Sequence, residues 1–273
     1  MRKELEELIQ KAQEGDAMAQ ATLAEHCNIC EDSEGAWFYA NLSAERGCPE
    51  GLYVLGMCYL NGYGTQVNIE KAAELFNESY AKGCVRALTG LVGVQGLKGD
   101  YSSDLVLNML LEAASANDKK ALFLLAIRMK YGMDGVRDYG KYLDLLSASV
   151  RQEYLPAVYE CACELTNPKS PVFNFTEGFK MMYYASTQGF QKAIDHATYL
   201  TMGNDKEYNN RALEILTSRV SKGRSSAMRF LGLCYLEGKG VKQDKAKAIE
   251  LFERGAGAGD SACRNLAEKA RRD

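Results

Sequence analysis

Histidine occurs twice in 273 residues, tryptophan once and proline four times, and the longest apolar run is Ala121–Ile127. Each scarcity excludes something. His26 and His196 are 170 residues apart and fall in different repeats of the frame derived below, so acid–base chemistry by paired histidines is ruled out. Pro49, Pro156, Pro168 and Pro171 are too few to break many helices, which suits a helical chain. The apolar run is far short of the roughly 20 residues a membrane span needs. Charge of one sign is also lacking. With 33 Lys+Arg against 36 Asp+Glu the net charge is −3, which gives no global pull toward nucleic acid or an anionic membrane. The N-terminus, MRKELEELIQK, is charged from its second residue and has no secretory h-region, so a cytoplasmic protein is expected.

Cysteine is present in an odd number, nine. In a reducing compartment these are plain thiols, most of them filling small apolar gaps. Cys27 and Cys30 form the only CxxC, beside His26. A structural zinc site needs four ligands. Cys48 and Cys58 are the candidates for the rest, and neither is part of a second pair with suitable spacing, so no metal and no cofactor is expected.

The 25 glycines are not scattered at random. Gly51–Gly83 and Ala227–Gly259 share LG-x-CYL-x-G-x-G, then KA, ELF and a terminal Gly. The same frame runs through the whole chain. Its junction residues, J, are Gly15, Gly47, Gly83, Asn117, Glu153, Gly189, Gly223 and Gly259, spaced by 32, 36, 34, 36, 36, 34 and 36 residues. Seven of these eight are Gly or Asn, the residues that tolerate the left-handed conformation ending a helix. Positions not used to find the frame support it. At J+4 every residue is small, from Ala19 and Gly51 to Ala227 and Cys263. At J−10 and J−7 every residue is apolar, and J−3 completes a stripe spaced as on an amphipathic helix. At J−15 lie Asp32, Asn68, Ser102, Asp138, Asn174, Tyr208 and Asp244, and all but Tyr208 can cap a helix N-terminus. Asn204 and Asp205 stand just upstream of that exception.

Each unit is thus two helices. Helix A begins about three residues past the junction, a short turn follows, and helix B carries the apolar stripe to the next junction. Residues 1–14 fit a terminal helix B, residues 15–259 seven helix pairs, and residues 260–273 the start of a helix A. The expected architecture is all-α, an α/α solenoid in one domain spanning 1–273, with charged half-repeats at its ends that favour a monomer. The least regular stretch is Asn167–Asn174, and the glycines at 255, 257 and 259 predict a frayed last turn.

The two strongest units resemble Sel-one-like repeats, a branch of the tetratricopeptide superfamily with a Gly-rich turn inside the unit. Leu55, Gly56, Tyr59, Gly62, Gly64, Lys71 and Ala72 carry the resemblance in one, and Leu231, Gly232, Tyr235, Gly238, Gly240, Lys247 and Ala248 in the other. Val92, Thr198 and Glu153 depart from it at small or Gly positions. The resemblance implies a right-handed superhelix whose members act as adaptors and scaffolds for protein complexes. It also implies that helix A lines an inner groove through J+3, J+6, J+10 and J+13. Arg86, Lys120 and Lys192 stand at J+3. At J+6 stand Tyr53, Phe123, Tyr159, Asp195 and Arg229, and at J+10 Met57, Ile127, Tyr199 and Leu233. The expected partner-binding set is Tyr53, Met57, Arg86, Lys120, Phe123, Tyr159, Lys192, Tyr199 and Arg229, in which cations take carboxylates and aromatics supply buried area. The expected function is non-enzymatic binding of a protein or peptide, without nucleic acid and without membrane insertion. Cysteine-rich relatives suggest one alternative, a penicillin-binding or hydrolase activity through the SxxK at Ser79–Lys82. Another is a cysteine-dependent assembly factor.

Overall fold

The computed structural model describes residues 2–29, 32–101, 103–135, 137–203 and 205–272. Among these residues are sixteen α-helices and no strand. The B-type helices are α1 (Arg2–Gln13), α3 (Ser33–Glu45), α5 (Ile69–Ala81), α7 (Asp104–Ser115), α9 (Tyr139–Val150), α11 (Phe175–Thr187), α13 (Lys206–Ser221) and α15 (Lys245–Gly257). The A-type helices are α2 (Ala17–Ile29), α4 (Pro49–Asn61), α6 (Ala87–Leu97), α8 (Lys119–Tyr131), α10 (Leu155–Thr166), α12 (Gln191–Thr201), α14 (Ser225–Glu237) and α16 (Ser261–Arg272). The order is one B helix, seven A–B pairs and one A helix, as the frame predicts. They form two compact units, residues 1–154 and 155–273.

All eight junction residues have positive φ. Asn117 (φ 60°) and Glu153 (φ 54°) are the only non-glycine residues described with positive φ, so the frame overrides residue preference at Glu153. The helix starts follow the sequence with two shifts. Asp32, Asn68, Asp138, Asn174 and Asp244 each accept a backbone N–H of their helix's first turn. The cap of α7 is Ser103, while Ser102 lies outside the described residues. The cap of α13 is Asp205, three residues before Tyr208, and Asn204 lies outside the described residues. Each of the five expected caps also donates its own N–H to the carbonyl at J+12 of the preceding helix A: Cys27, Tyr59, Met129, Leu165 and Tyr235. One residue thus ends the turn and starts the next helix.

The buried line of helix B differs from the expected stripe by about one residue. It runs through J−11, J−7 and J−4, for example Ala72, Phe76 and Ser79, or Tyr142, Leu146 and Ser149. The larger residues at J−10, such as Trp37, Leu107 and Phe179, are half-buried. The reason is close approach. Small residues at J−4 meet the small residue at J+4 of the following helix A, so the helices touch there and bulk is displaced to the flanks. A Cβ on Gly51 would strike Ser43, and one on Gly255 would lie 2.6 Å from the Cys263 sulfur. For the same reason the last turn of α15 is not frayed. The helix continues through Gly257 because Gly255 is packed under α16.

A second small position, J+9, is matched to J−7 within each unit. A Cβ on Gly56 would lie 2.6 Å from the Phe76 ring, and one on Gly232 would lie 2.5 Å from the Phe252 ring. Where J+9 is larger, as at Val92 and Thr198, J−7 is leucine (Leu110, Leu216). Burying a phenylalanine in place of such a leucine adds apolar area of the kind that contributes ~1.5–3 kcal/mol per large side chain.

Candidate binding face on the A helices

In the first unit, A helices two repeats apart reach one another. Arg86, the N-cap residue of α6, donates to Glu25 on α2 at 2.7 Å, and its guanidinium lies over the Tyr53 ring of α4, 4.7 Å from the centroid. Neighbouring helix axes are about 8–10 Å apart. A direct bond across two steps therefore requires the A helices to converge, so α2, α4 and α6 present one contiguous surface. Further along it, Phe123 of α8 meets Tyr154 edge-on at 5.6 Å. Lys120 of α8 is half-buried. Burial pulls its pKa below the usual lysine range; Asp118 pushes the other way and Arg86 adds to the lowering. Burial raises the pKa of Tyr53 and Tyr154, so both stay neutral hydroxyls.

The second unit gathers an aromatic cluster around His196 of α12. Its ring stacks on Phe230 of α14 at 4.5 Å and meets Tyr159 of α10 edge-on at 5.9 Å and Tyr199 at 6.5 Å. Arg229 of α14 donates to the Tyr159 oxygen at 3.3 Å. Because arginine only donates, the Tyr159 proton is available to His196 Nδ1, 3.4 Å away, with the Cys163 sulfur 3.7 Å from the same nitrogen. Burial, then Arg229 and Lys239, push the His196 pKa down to about 3, so the ring is neutral. The cations here are occupied. Arg229 Nε is 3.5 Å from Asp260 and the guanidinium covers the Phe230 ring. Lys239 donates to the Tyr199 carbonyl at 2.8 Å and covers its ring, while the Tyr199 hydroxyl donates to Glu237 at 2.5 Å.

The nine expected binding residues therefore divide. Tyr53, Met57, Arg86, Lys120 and Phe123 belong to the first unit, and Tyr159, Lys192, Tyr199 and Arg229 to the second. Tyr53 and Tyr159 at J+6 are 6% and 9% exposed, because successive A helices close over that position. Asp195, also at J+6, is fully buried, bound to Arg219 and accepting from Ser226 at 2.5 Å. Met57 is half-buried against the core and Lys192 is exposed. Glu25, Tyr154, His196 and Lys239 were not foreseen. Glu25 stands at J+10 and Lys239 in a turn, and only the convergence of the A helices brings them in.

Two chemical alternatives meet obstacles. Ser79 is fully buried and donates to the Pro49 carbonyl at 2.7 Å, while Lys82 pairs with Glu78 at 2.9 Å on the surface. The SxxK is therefore a packing serine beside a solvated lysine, not a nucleophile and its base. Ser43 and Ser149 make the same J−4 bond, to Ala17 at 2.5 Å and Lys119 at 2.7 Å. Cys30 lies outside the described residues, and burial pushes the Cys58 thiol up to about 12. Among the described residues no three His, Cys, Asp or Glu side chains converge as metal ligands, and no helix is long and apolar enough to cross a membrane. A cavity of about 130 Å³ in the first unit has an apolar lining that includes Val92, Leu110, Leu124 and Ile127. At its edge Arg128 is bound to Asp134 and donates to the Tyr101 carbonyl at 2.5 Å.

The Sel1 repeat model matches residues 49–84 and 225–260, the two units with the full Gly-rich turn. Among solved structures the chain is similar to a protective antigen present in uropathogenic Escherichia coli strains, displaying an SLR fold. The identity is 21%, over 96% of this chain and 58% of that one, with a TM-score of 0.53. This chain thus spans 58% of that protein's length. It is also similar to a Sel1 repeat protein from Oxalobacter formigenes, at 19% identity over 96% of this chain and 78% of that one, with a TM-score of 0.46. No curated protein sequence matches significantly. The first of these likenesses, at 21% identity and a TM-score of 0.53, speaks for the fold alone, an α/α solenoid.

Proposed function

We propose that this chain, a solenoid with Sel1 repeats at 49–84 and 225–260, is a non-enzymatic scaffold that binds another protein or peptide through its A-helix face. Sel1-repeat proteins are generally protein-interaction scaffolds, which supplies the class. The observation that carries the reading for this chain is the Glu25–Arg86 bond over Tyr53, made between A helices two repeats apart. Such convergence turns separate helices into one surface, on which a long segment can contact several repeats at once. Aromatic side chains supply most of the area there, and charged groups set orientation.

The test is affinity capture from the native host with mass-spectrometric readout. Three proteins are compared: wild type, an A-face variant (Phe123→Ala with Lys192→Glu) and a B-face control (Tyr183→Ser). The first two positions are at least partly open, and Tyr183 is 60% exposed, so the fold should survive each change. A protein captured by wild type and the control but lost from the A-face variant is the expected result. An identical list from all three moves the interface to the B helices, and an empty list from wild type removes the scaffold reading.

A further inference from the structure

The Phe76 ring of α5 fills the wedge between α4 and α6. A Cβ on Gly56 would lie 2.6 Å from that ring, and one on Gly90 would lie 2.5 Å from it. These three residues stand at J−7, at J+9 of the same unit and at J+7 of the next. One repeat further on, the same positions hold Leu110 on α7, Val92 on α6 and Leu124 on α8. Branched side chains replace both glycines, and α6 and α8 approach each other less closely than α4 and α6 do. The wedge is wider, yet the residue that should fill it is a leucine where the neighbouring repeat has a ring. The cavity of about 130 Å³ lies there, bordered by Val92, Leu110 and Leu124 and by Val106, Ile127 and Met133. Met133 is exposed and its side chain is flexible, so the space can be reached from the surface without unfolding.

The charged groups beside the cavity are already satisfied by the protein. Arg128 is bound to Asp134 and donates to the Tyr101 carbonyl. Asp100 accepts the Ser103 N–H at 3.0 Å and the Ser103 hydroxyl at 2.6 Å. Nothing on the walls therefore calls for a polar or charged ligand. We propose that this cavity is a binding site for a small uncharged molecule built on one aromatic ring, seated over Leu110 between α6 and α8. Two observations set that chemistry. The equivalent wedge of the preceding repeat holds a phenyl group, and apolar cavities of about 150 Å³ stay dry and take up benzene. The ring gains apolar burial and contact with walls that otherwise face empty space. The site goes beyond the scaffold reading and stands or falls without it.

The probe is toluene, titrated into the full chain up to its aqueous solubility and followed by methyl proton–carbon NMR and thermal melting. Shifts are expected at the methyl groups of Val92, Val106, Leu110, Leu124 and Ile127. They should saturate with a Kd of ~1 mM or tighter, and the melting temperature should rise by about 2–4 °C. Benzoate, the same ring carrying a carboxylate, should bind at least about tenfold more weakly, because its charge would leave water without gaining Arg128. Leu110→Phe supplies the ring from the protein, as Phe76 does, and should abolish the toluene shifts. Ile127→Phe narrows the cavity from a half-buried position, where the fold tolerates added bulk, and should weaken toluene binding by about fivefold or more. Absence of methyl shifts up to the solubility limit overturns the proposal, as do shifts scattered over both units or benzoate binding as well as toluene. Unchanged toluene binding in either variant that folds overturns it too.

Discussion

Glu153 shows how strongly a repeat constrains a single residue. It holds a left-handed conformation at φ 54°, which costs a side-chain-bearing residue about 1–2 kcal/mol, because the helix before it must end there. Glu153→Gly should therefore raise stability by about 0.5–1 kcal/mol in urea unfolding, the gain being trimmed by glycine's larger unfolded-state entropy. The reciprocal change is Gly189→Ala, at φ 80° with open space around the new methyl group. It should cost about 1 kcal/mol from backbone conformation alone. His196 makes a pH prediction. Its pKa is about 3 in the fold, so between that value and its ordinary one the unfolded chain binds a proton that the native state does not. Its contribution is fully present above about pH 6.5 and is lost as pH falls toward 3, at up to about 1.4 kcal/mol per pH unit. His196→Leu should flatten that part of the wild-type urea-stability profile between about pH 6 and pH 4, and identical profiles would show that His196 titrates normally.

Helix pairing rests on matched sizes rather than on hydrophobicity alone. The glycines at J+9 of the two Sel1 repeats exist because a phenylalanine ring occupies the space a methyl group would take. Gly56→Ala should cost about 1–3 kcal/mol by overpacking. Adding Phe76→Leu should recover part of that loss, so the double variant is less destabilised than the sum of the singles by roughly 0.5–1 kcal/mol. Val92 with Leu110 shows the combination already in use two helices away. Strict additivity in a double-mutant cycle would mean that the two positions do not sense each other. The serine at J−4 is a second device, a hydroxyl donating from helix B to the first turn of its own helix A in three repeats. Ser79→Ala should lower stability by about 1 kcal/mol, the usual worth of a buried hydrogen bond.

At the scale of the whole molecule each helix meets mainly its neighbours in sequence, and stability should then be a sum of local terms. Helix α16 packs on α15 through Cys263, Ala267 and Ala270 against Ala248 and Phe252. Deleting residues 261–273 should weaken amide-exchange protection in α14 and α15 while leaving α4–α7 unchanged. Loss of protection throughout both units would mean that the array unfolds as one. The two units also differ in character. In the second, aromatic and charged side chains from three A helices gather around His196, whereas in the first Arg86 is paired with Glu25 over the Tyr53 ring.

Periodicity alone determined the number and order of the helices, the eight junctions and most of the caps. These are local properties, because a helix ends and begins through its own backbone geometry and the residues within one turn. Sequence spacing also marked the small positions, but not what they faced. The buried line of helix B, the match of J+9 to J−7, and the close packing at Gly255 depend on which surfaces touch, and adjacent residues on a helix differ by only 100°. The candidate face was legible as a set of A-helix positions and misjudged in depth. Tyr53 and Tyr159 are interior because neighbouring A helices close over J+6, a consequence of convergence that no single repeat contains. The Glu25–Arg86 bond and the cluster around His196 join side chains dozens of residues apart. Only tertiary structure decides such contacts, because they depend on how successive repeats bend toward one another.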